Sequence, residues 1–380
     1  MIYFDHNATT PLLPEVIEVM HECMASKYAN PSSLHSLGRQ SRVIIDNARE
    51  QLAELINAHP SQIVFTSGGT ESNNLAIKGC VEGMDFKNVA YSAIEHPSVR
   101  DVAKYISGTR CVSELDVNED GEIKFESFVD YCKRQTSPAL ISIMLANNET
   151  GLLQDITKLS EIAHQYGHCL HTDAVQALGK VQVDFRALNA NLMSLSAHKF
   201  YGPKGIGALV YDKTLTIEPL QHGGGQERGL RSGTENVVAI AGFAKAIEIA
   251  SKTIEEKSKA VTKLRDYLEI ELQKIPGVVV FAKNSQRLPN TTFFGVPGID
   301  GETLLMQFDA HEIAVTSGSA CSSKTGKASH VLLAMGVEES LARSAVRVSL
   351  GMHNSKQEID QFIRVLGQQC KMINSLKAIV

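Results

Sequence analysis

The sequence lacks a surplus of either charge, since 37 lysines and arginines stand against 42 aspartates and glutamates, for a net charge of −5. Without a basic field the chain has no sequence-wide attraction for nucleic acid or an anionic membrane, and we expect it to bind neither directly. It also lacks an apolar run approaching the roughly 20 residues that span a bilayer, and its first residues contain no signal-peptide core. We therefore expect a cytoplasmic protein.

Paired cysteines are missing as well. The seven cysteines are scattered, form no C-x-x-C pair and do not group with histidines at zinc spacing. An odd number of dispersed cysteines argues against a disulfide framework, and the spacing argues against a structural metal site. The 13 histidines are equally dispersed. We expect most of them to be surface or capping residues, and only His96 and His198 stand beside other chemically suggestive residues.

The composition is typical of a globular protein: the chain has 380 residues, 43% of them hydrophobic, which is enough for about two domains. From about residue 61 to 211, short apolar runs alternate with amphipathic stretches. Such alternation predicts an α/β fold with a mainly parallel seven-stranded sheet, whose ligands bind beyond the carboxyl ends of the strands. The seven runs are QIVF, NVAYS, CVSEL, ALISIML, HCLHTD, LMSLS and IGALVY.

A long helical pattern follows, from residue 237 to about 275, and no proline interrupts it before Pro276. Such a helix suits a bridge between two lobes. The short strands and helices after it predict a smaller α+β domain. We predict a large domain over residues 15–255, and a small domain formed by residues 1–14 and 256–380.

A glycine-bearing turn, TSGGT at residues 66–70, follows the first apolar run and opens a helix. Glycines allow close backbone approach, and a helix start offers N–H groups and a positive dipole end to a phosphate. A turn capped by Thr70 explains the same letters, so the motif alone does not establish a phosphate site. The glycine patterns of nucleotide-binding loops are not present in this turn.

Asp173 ends the run HCLHTD, and Gln176 follows it closely. A carboxylate there could keep a pyridinium nitrogen protonated, which makes a pyridoxal phosphate ring an electron sink, and Gln176 could bind the ring's phenolic oxygen. A helix-capping aspartate is an equally good explanation of Asp173 alone. Lys199 lies 26 residues later, directly after the run LMSLS. We prefer it to Lys204, which lies in a Pro-Lys-Gly turn, as the lysine that binds the ring covalently.

Cys321 closes the segment VTSGSAC at residues 315–321. Small residues before a lone cysteine suit an open loop, in which a thiolate can reach a substrate. A buried, unreactive cysteine is the alternative. Lys324 and Lys327 follow it and would lower the thiol pKa or contact an acidic acceptor, although solvated loop charges explain them equally well.

Taken together, ten ordered segments resemble the pyridoxal phosphate-dependent cysteine desulfurases of the NifS/IscS type, which are class-V aminotransferases of fold type I. The resemblance runs from end to end and is far more specific than any one motif. The segments are DHNATT at 5–10, NPSSLH at 30–35, TSGGTESNN at 66–74, EHPSV at 95–99, NNETG at 147–151, HTDAVQALGK at 171–180, SAHKFYGPKGIG at 196–207, RSGTEN at 231–236, SGSACSS at 317–323 and VRVSLG at 346–351.

The resemblance implies a role for each matching residue. Lys199 would bind the cofactor covalently and Asp173 would pair with its ring nitrogen. The remaining implied roles are a phosphate cup from Gly69, Thr70, Ser196 and His198, a phosphate contact across a homodimer from Thr234, ring stacking and proton transfer by His96, polar contacts from Asn148 and Gln176, a carboxylate clamp at Arg347, and a sulfur-accepting nucleophile at Cys321.

The implied reaction converts L-cysteine to L-alanine and leaves a persulfide on Cys321, whose sulfur passes to an acceptor protein for iron–sulfur cluster assembly or tRNA thiolation. No resident metal is expected, although Cys321 would be available as a transient cluster ligand. Three alternatives stay open at this point: a selenocysteine lyase, another class-V enzyme, and a catalytically quiet scaffold relative. The intact pair of Lys199 and Cys321 argues against the last.

Overall fold

The computed structural model describes residues 1–318 and 328–377, and for residues 373–377 only the backbone. The strands are β1 (Ile2–Tyr3), β2 (Ile63–Thr66), β3 (Asn88–Ser92), β4 (Cys111–Leu115), β5 (Ala139–Ser142), β6 (Cys169–Asp173), β7 (Leu192–Ser196), β8 (Gly207–Tyr211), β9 (Val279–Val280), β10 (Thr291–Gly295), β11 (Ile313–Ala314) and β12 (Ala345–Ser349).

The α-helices of the described residues are α1 (Pro14–Ser26), α2 (Ser36–Leu55), α3 (Gly69–Asn74), α4 (Cys80–Gly83), α5 (Pro97–Ile106), α6 (Phe125–Arg134), α7 (Ile156–Gln165), α8 (Phe185–Leu188), α9 (Val237–Gln273), α10 (Gly301–Ala310), α11 (His330–Ala334), α12 (Glu339–Arg343) and α13 (Lys356–Lys377). None of these helices is both long and apolar enough to cross a membrane.

The central sheet has seven strands in the order β2-β8-β7-β6-β5-β3-β4, which confirms the predicted α/β fold. Strands β4, β3, β5, β6 and β7 are parallel, whereas β8 runs antiparallel to both β7 and β2. All residues of β2, β5 and β7 are buried, as expected for strands covered by helices on both faces. Because β5, β6 and β7 are parallel neighbours, their carboxyl ends lie at the same edge of the sheet.

Helix α9 confirms the long helix predicted from the sequence. Its 37 residues make it about 55 Å long, and the side chain of its N-cap Asn236 accepts from Ala239 N at 3.1 Å. Ile240 and Phe243 in its first half belong to the hydrophobic core under the seven-stranded sheet. Leu268 and Leu272 in its second half belong to a separate core. One helix thus contributes to two cores.

The second core lies around two smaller sheets. Strands β12, β10 and β9 form an antiparallel sheet, and β1 pairs in parallel with β11. Phe4, just after β1, packs edge to face on Phe362 of α13 with ring centroids 6.0 Å apart. The N-terminal residues are therefore held by residues more than 300 positions further along the chain. The domain boundaries at 14/15 and 255/256 stay a prediction.

A buried ion pair links helix α2 to the edge strand β2 of the central sheet. Arg49 Nη2 lies 2.7 Å from Glu227 Oε1 and Arg49 Nη1 lies 2.9 Å from Glu227 Oε2. Glu227 also accepts from Phe65 N at 2.8 Å. Because both side chains are almost fully buried, neither partner can regain water if the other is lost.

We expect Arg49→Met to lower the free energy of unfolding by about 3–5 kcal/mol, because it leaves the Glu227 charge buried without a cation. The double variant Arg49→Met/Glu227→Gln removes that charge and keeps an acceptor for Phe65 N, so it should recover more than half of the loss. Urea denaturation of both variants measures the difference. A double variant no more stable than the single one would contradict this account of the pair.

Candidate active site

A cavity of about 240 Å³ opens at the carboxyl ends of β6 and β7. The residues that line it follow five strands of the central sheet and include part of the N-terminal arm. Ten of the site residues predicted from the sequence are among them: Gly69, Thr70, His96, Asn148, Asp173, Gln176, Ser196, His198, Lys199 and Arg347. Thr234 is exposed and does not line this cavity. Cys321 lies outside the described residues.

At one end of the cavity, helix α3 begins against the end of β7. A Cβ atom on Gly69 would lie 2.7 Å from a methyl carbon of Val175, so only glycine permits this approach. The N-cap is Gly68, and Thr70 therefore lies in the first turn instead of capping the helix. Ser196 Oγ is buried beside this turn and has no partner among the described residues. A helix start beside an unpaired hydroxyl suits a phosphate oxygen.

Asp173 lies at the end of β6 and is held by two donors. Its Oδ2 accepts from Asn73 Nδ2 at 2.7 Å, and its Oδ1 accepts from Val175 N at 3.0 Å. Burial, and then the negative charge of Asp173, raise the pKa of nearby Glu95 well above its usual range. The surroundings of Glu95 thus disfavour its charged form, and Asp173 is the carboxylate of the two that lines the cavity.

Lys199 reaches the cavity from the short turn after β7. Its Nζ donates to the backbone carbonyls of Asn7 at 2.6 Å and Ala8 at 2.8 Å. Lys204, the competing lysine, is exposed. The structure therefore places the Lys199 amine on the cavity, within hydrogen-bond distance of the N-terminal arm, and its covalent role stays a prediction.

Sequence reasoning missed two residues: Asn7, which lines the cavity, and Lys180, which contacts two of its lining residues. The backbone oxygen of Asn7 accepts from Gln176 Nε2 at 2.9 Å, and its Oδ1 accepts from Lys180 Nζ at 2.8 Å. Lys180 Nζ also donates to Gln176 Oε1 at 2.6 Å. Both residues stand inside motifs that carried the family resemblance, but nothing in their spacing brings position 7 to position 180.

Arg347 projects from β12 with 1% of its surface exposed. Its Nη2 lies 2.7 Å from Asp5 Oδ1, and its Nη1 donates to the carbonyl of Asn148 at 2.8 Å. Its Nε is buried without a partner among the described residues. Because a guanidinium carries five N–H groups, donors remain for a carboxylate ligand.

His96 is the N-cap of α5, and its Nδ1 accepts from Ser98 N at 3.1 Å. A ring nitrogen that accepts a backbone N–H carries no hydrogen, so the neutral ring has its proton on Nε2. Burial lowers the pKa of His96, while the charge of Asp173 opposes the shift. The ring is therefore a neutral donor through Nε2 at the edge of the cavity.

Most histidines are exposed or cap a helix, as expected, but a few are buried. His6 and His171 are buried, and burial lowers the pKa of each to about 4. His198 lies on the cavity, and burial, followed by the charge of Lys199, lowers its pKa to about 4. These rings are uncharged at neutral pH.

The two ends of the undescribed segment 319–327 lie beside Glu149. The side chain of Ser329 donates a short hydrogen bond to Glu149 Oε2, and a Cβ on Gly318 would lie 3.2 Å from the same oxygen. Burial raises the pKa of Glu149. Asn148, the preceding residue, lines the cavity. The chain thus enters and leaves the Cys321 segment next to the site.

Known proteins resemble this chain over nearly all of its length. The family model "Aminotransferase class-V" matches residues 2–362. A protein of Dictyoglomus turgidum named cysteine desulfurase IscS is 42% identical over 96% of this chain and 93% of its own length. One of the same name from Methanosarcina thermophila is 40% identical over 99% of this chain and 93% of its own. The structure of a NifS-like protein from Rickettsia africae covers 97% of this chain and 99% of its own, with a TM-score of 0.89 at 39% identity.

The buried histidines make an acid-dependent stability testable. His171 has no exposed surface and lies between Ser142 Oγ at 2.8 Å and Ser194 Oγ at 3.0 Å. Its pKa falls from an ordinary 6.5 to about 4 on folding. Between these values the unfolded chain binds a proton that the folded chain does not, so the free energy of unfolding falls as pH falls.

We expect His171→Asn to be less stable at pH 7, because it loses two hydrogen bonds, but to lose less further stability between pH 7 and 4.5. Denaturant unfolding across this range measures the slope. His21→Asn, at an exposed position, is the control and should keep the wild-type slope. An unchanged slope in His171→Asn would show that this ring does not carry the acid dependence.

Proposed function

Because this chain belongs to the class-V aminotransferase family and, within it, to the cysteine desulfurases, we propose that its cavity binds pyridoxal phosphate and that Cys321 takes the sulfur of L-cysteine. The chain is an enzyme that forms L-alanine from L-cysteine. The observation that carries the proposal is that residues predicted from distant motifs line one cavity, with Lys199 and Asp173 both on it.

The residues present fit this cofactor. Lys199 supplies the amine that holds it covalently, and Asp173 supplies a carboxylate for the ring nitrogen. The hydroxyl of Ser196, which has no partner in the described part of the chain, would donate to the phosphate together with the start of α3 and the His198 ring. When bound, the cofactor withdraws electrons from the α-carbon of the substrate, which makes the α-proton removable.

The protein's own groups bind the substrate and move its protons. Arg347 holds the α-carboxylate with the N–H groups that Asp5 and Asn148 leave available, and Asn148 adds a polar contact. With the cofactor and substrate bound, the Lys199 amine would take the α-proton as a general base. The neutral His96 ring would stack on the cofactor and would donate through Nε2. Gln176 donates to the phenolic oxygen of the ring.

Sulfur leaves the substrate by attack of a thiolate. Cys321 Sγ would form a bond to the substrate sulfur as the bond from that sulfur to the β-carbon breaks. A proton would then replace sulfur on the β-carbon, and the Lys199 amine would return the proton that it took from the α-carbon. The products are L-alanine and a Cys321 persulfide. In this proposal the nucleophile comes from the segment that begins after Gly318 and ends before Ser329.

The active form in this proposal is a cytoplasmic homodimer that donates sulfur to an acceptor protein. The exposed Thr234 reaches the cofactor phosphate of the second subunit. The acceptor is an iron–sulfur scaffold or a tRNA thiolase, and Lys324 and Lys327 beside Cys321 would contact acidic groups on it. The Cys321 thiolate is also the group that would ligate a cluster transiently.

Brief treatment with L-cysteine, without reductant, should add one sulfur to Cys321 and form L-alanine. Peptide mass spectrometry locates the sulfur, and an alanine assay counts the product. Cys321→Ser should bind the cofactor as the wild type does and form no protein persulfide. A fully active Cys321→Ser variant would refute the persulfide mechanism. If the wild type consumed selenocysteine but not cysteine, it would be a lyase of that substrate.

Lys199→Ala should abolish the visible absorbance of the lysine-bound cofactor, because no other amine of the proposed site replaces it, and activity should fall by at least about 10³-fold. Lys204→Ala is the matched control, since Lys204 lies five residues away and is exposed. It should keep both absorbance and activity. If Lys199→Ala kept the absorbance band, the covalent role would belong to another lysine.

A further inference from the structure

Lys180 is a partly buried lysine that the mechanism above does not use. Its amine faces inward and donates to Gln176 Oε1 at 2.6 Å and to Asn7 Oδ1 at 2.8 Å. Burial lowers the pKa of Lys180 well below its usual range, and the nearby cations Lys199 and Arg347 lower it further. Both effects disfavour the charged form of this amine. Lys180 is therefore poorly explained as a solvated surface lysine.

The two partners of Lys180 are themselves fixed from other sides. Asn7 Oδ1 also accepts from Asn290 Nδ2 at 3.0 Å, and Asn7 Nδ2 donates to Thr291 Oγ1 at 2.9 Å. Gln176 Nε2 donates to the backbone oxygen of Asn7 at 2.9 Å. Lys180 therefore completes a closed set of hydrogen bonds behind the cavity wall.

This set determines which way the Gln176 amide points. An ammonium has only donors, so it pairs with the amide oxygen, and the Asn7 carbonyl has only lone pairs, so it pairs with the amide nitrogen. Both contacts select the same orientation. Because Gln176 lines the cavity and its nitrogen uses one N–H on Asn7, the second N–H is available to a ligand.

We propose that Lys180 is a positioning residue: by donating to Gln176 and Asn7 together, it holds the Gln176 amide so that an N–H faces the phenolic oxygen of the bound cofactor. The inference rests on the proposed function, because that oxygen belongs to the proposed cofactor. It adds the residue that orients Gln176. A lysine that only fills space would act independently of Gln176, which gives the two explanations different consequences.

A double-mutant cycle of Lys180→Met and Gln176→Leu separates them. The readout is the pH midpoint of the cofactor's visible absorbance, which needs no turnover. An amide N–H stabilises the deprotonated ring oxygen, so its loss should raise the midpoint by about 0.5–1 pH unit in Lys180→Met. In the Gln176→Leu background the same substitution should shift the midpoint by less than about 0.2 unit. Lys213→Met, at an exposed position, is the control and should shift nothing.

Kinetics give a second readout. Lys180→Met should lower kcat about 5- to 10-fold and leave the KM for L-cysteine within about twofold, because neither Lys180 nor Gln176 holds the substrate carboxylate in the proposal. An equal midpoint shift with and without the Gln176 amide, or no shift in Lys180→Met, would overturn the positioning role.

Thermal unfolding of each variant checks that it folds. If Lys180→Met does not fold, Lys180→Gln, which keeps an N–H donor, replaces it in the same cycle. Lys180→Gln should shift the pH midpoint by less than Lys180→Met does, and this shift should again vanish in the Gln176→Leu background. A shift that persists in that background would overturn the inference. A wild-type protein without the absorbance band would refute the proposed function itself. If the wild type had the band but the two substitutions shifted the pH midpoint additively, only the role of Lys180 would be refuted.

Discussion

The cavity depends above all on the hydrogen bonds of Asn7, which is 1% exposed. Its backbone oxygen accepts from Lys199 at 2.6 Å and Gln176 at 2.9 Å, and its backbone nitrogen donates to Ser349 Oγ at 2.9 Å. One residue of the N-terminal arm thus joins side chains from β12 and from the turns after β6 and β7. Since each unpaired buried group costs about 1–3 kcal/mol, displacing the arm would disturb all of these positions together.

The charges around the cavity follow from the same burial. Lys180, Lys199 and Arg347 bring cationic groups close together, and burial with the charge of Asp173 raises the pKa of Glu95 well above its usual range. An anionic ligand entering this cavity replaces water around fixed cations, while Asp173 remains available for a group that carries a proton.

The sequence predicted the features that local patterns control. Seven apolar runs predicted the central sheet, and the position of Lys199 just after a strand placed it at the sheet edge where ligands bind. Asn7 and Lys180 could not be found this way, because the contact between them joins segments 173 positions apart and depends on how the N-terminal arm packs. The burial of His171 was missed for a related reason: it stands between Leu170 and Thr172 inside β6, and its serine partners come from the adjacent strands β5 and β7.

The proposed substrate clamp shows where selectivity must arise. Arg347 is already bound to Asp5 and to the Asn148 carbonyl, so it is held rigid before a carboxylate arrives, and its charge is partly balanced. A rigid guanidinium recognises a carboxylate by geometry and excludes substrates that lack one. Cysteine and selenocysteine carry the same carboxylate and amine, so Arg347 cannot distinguish them. Any discrimination between the two substrates must arise at the departing sulfur or selenium atom and at the nucleophile that receives it.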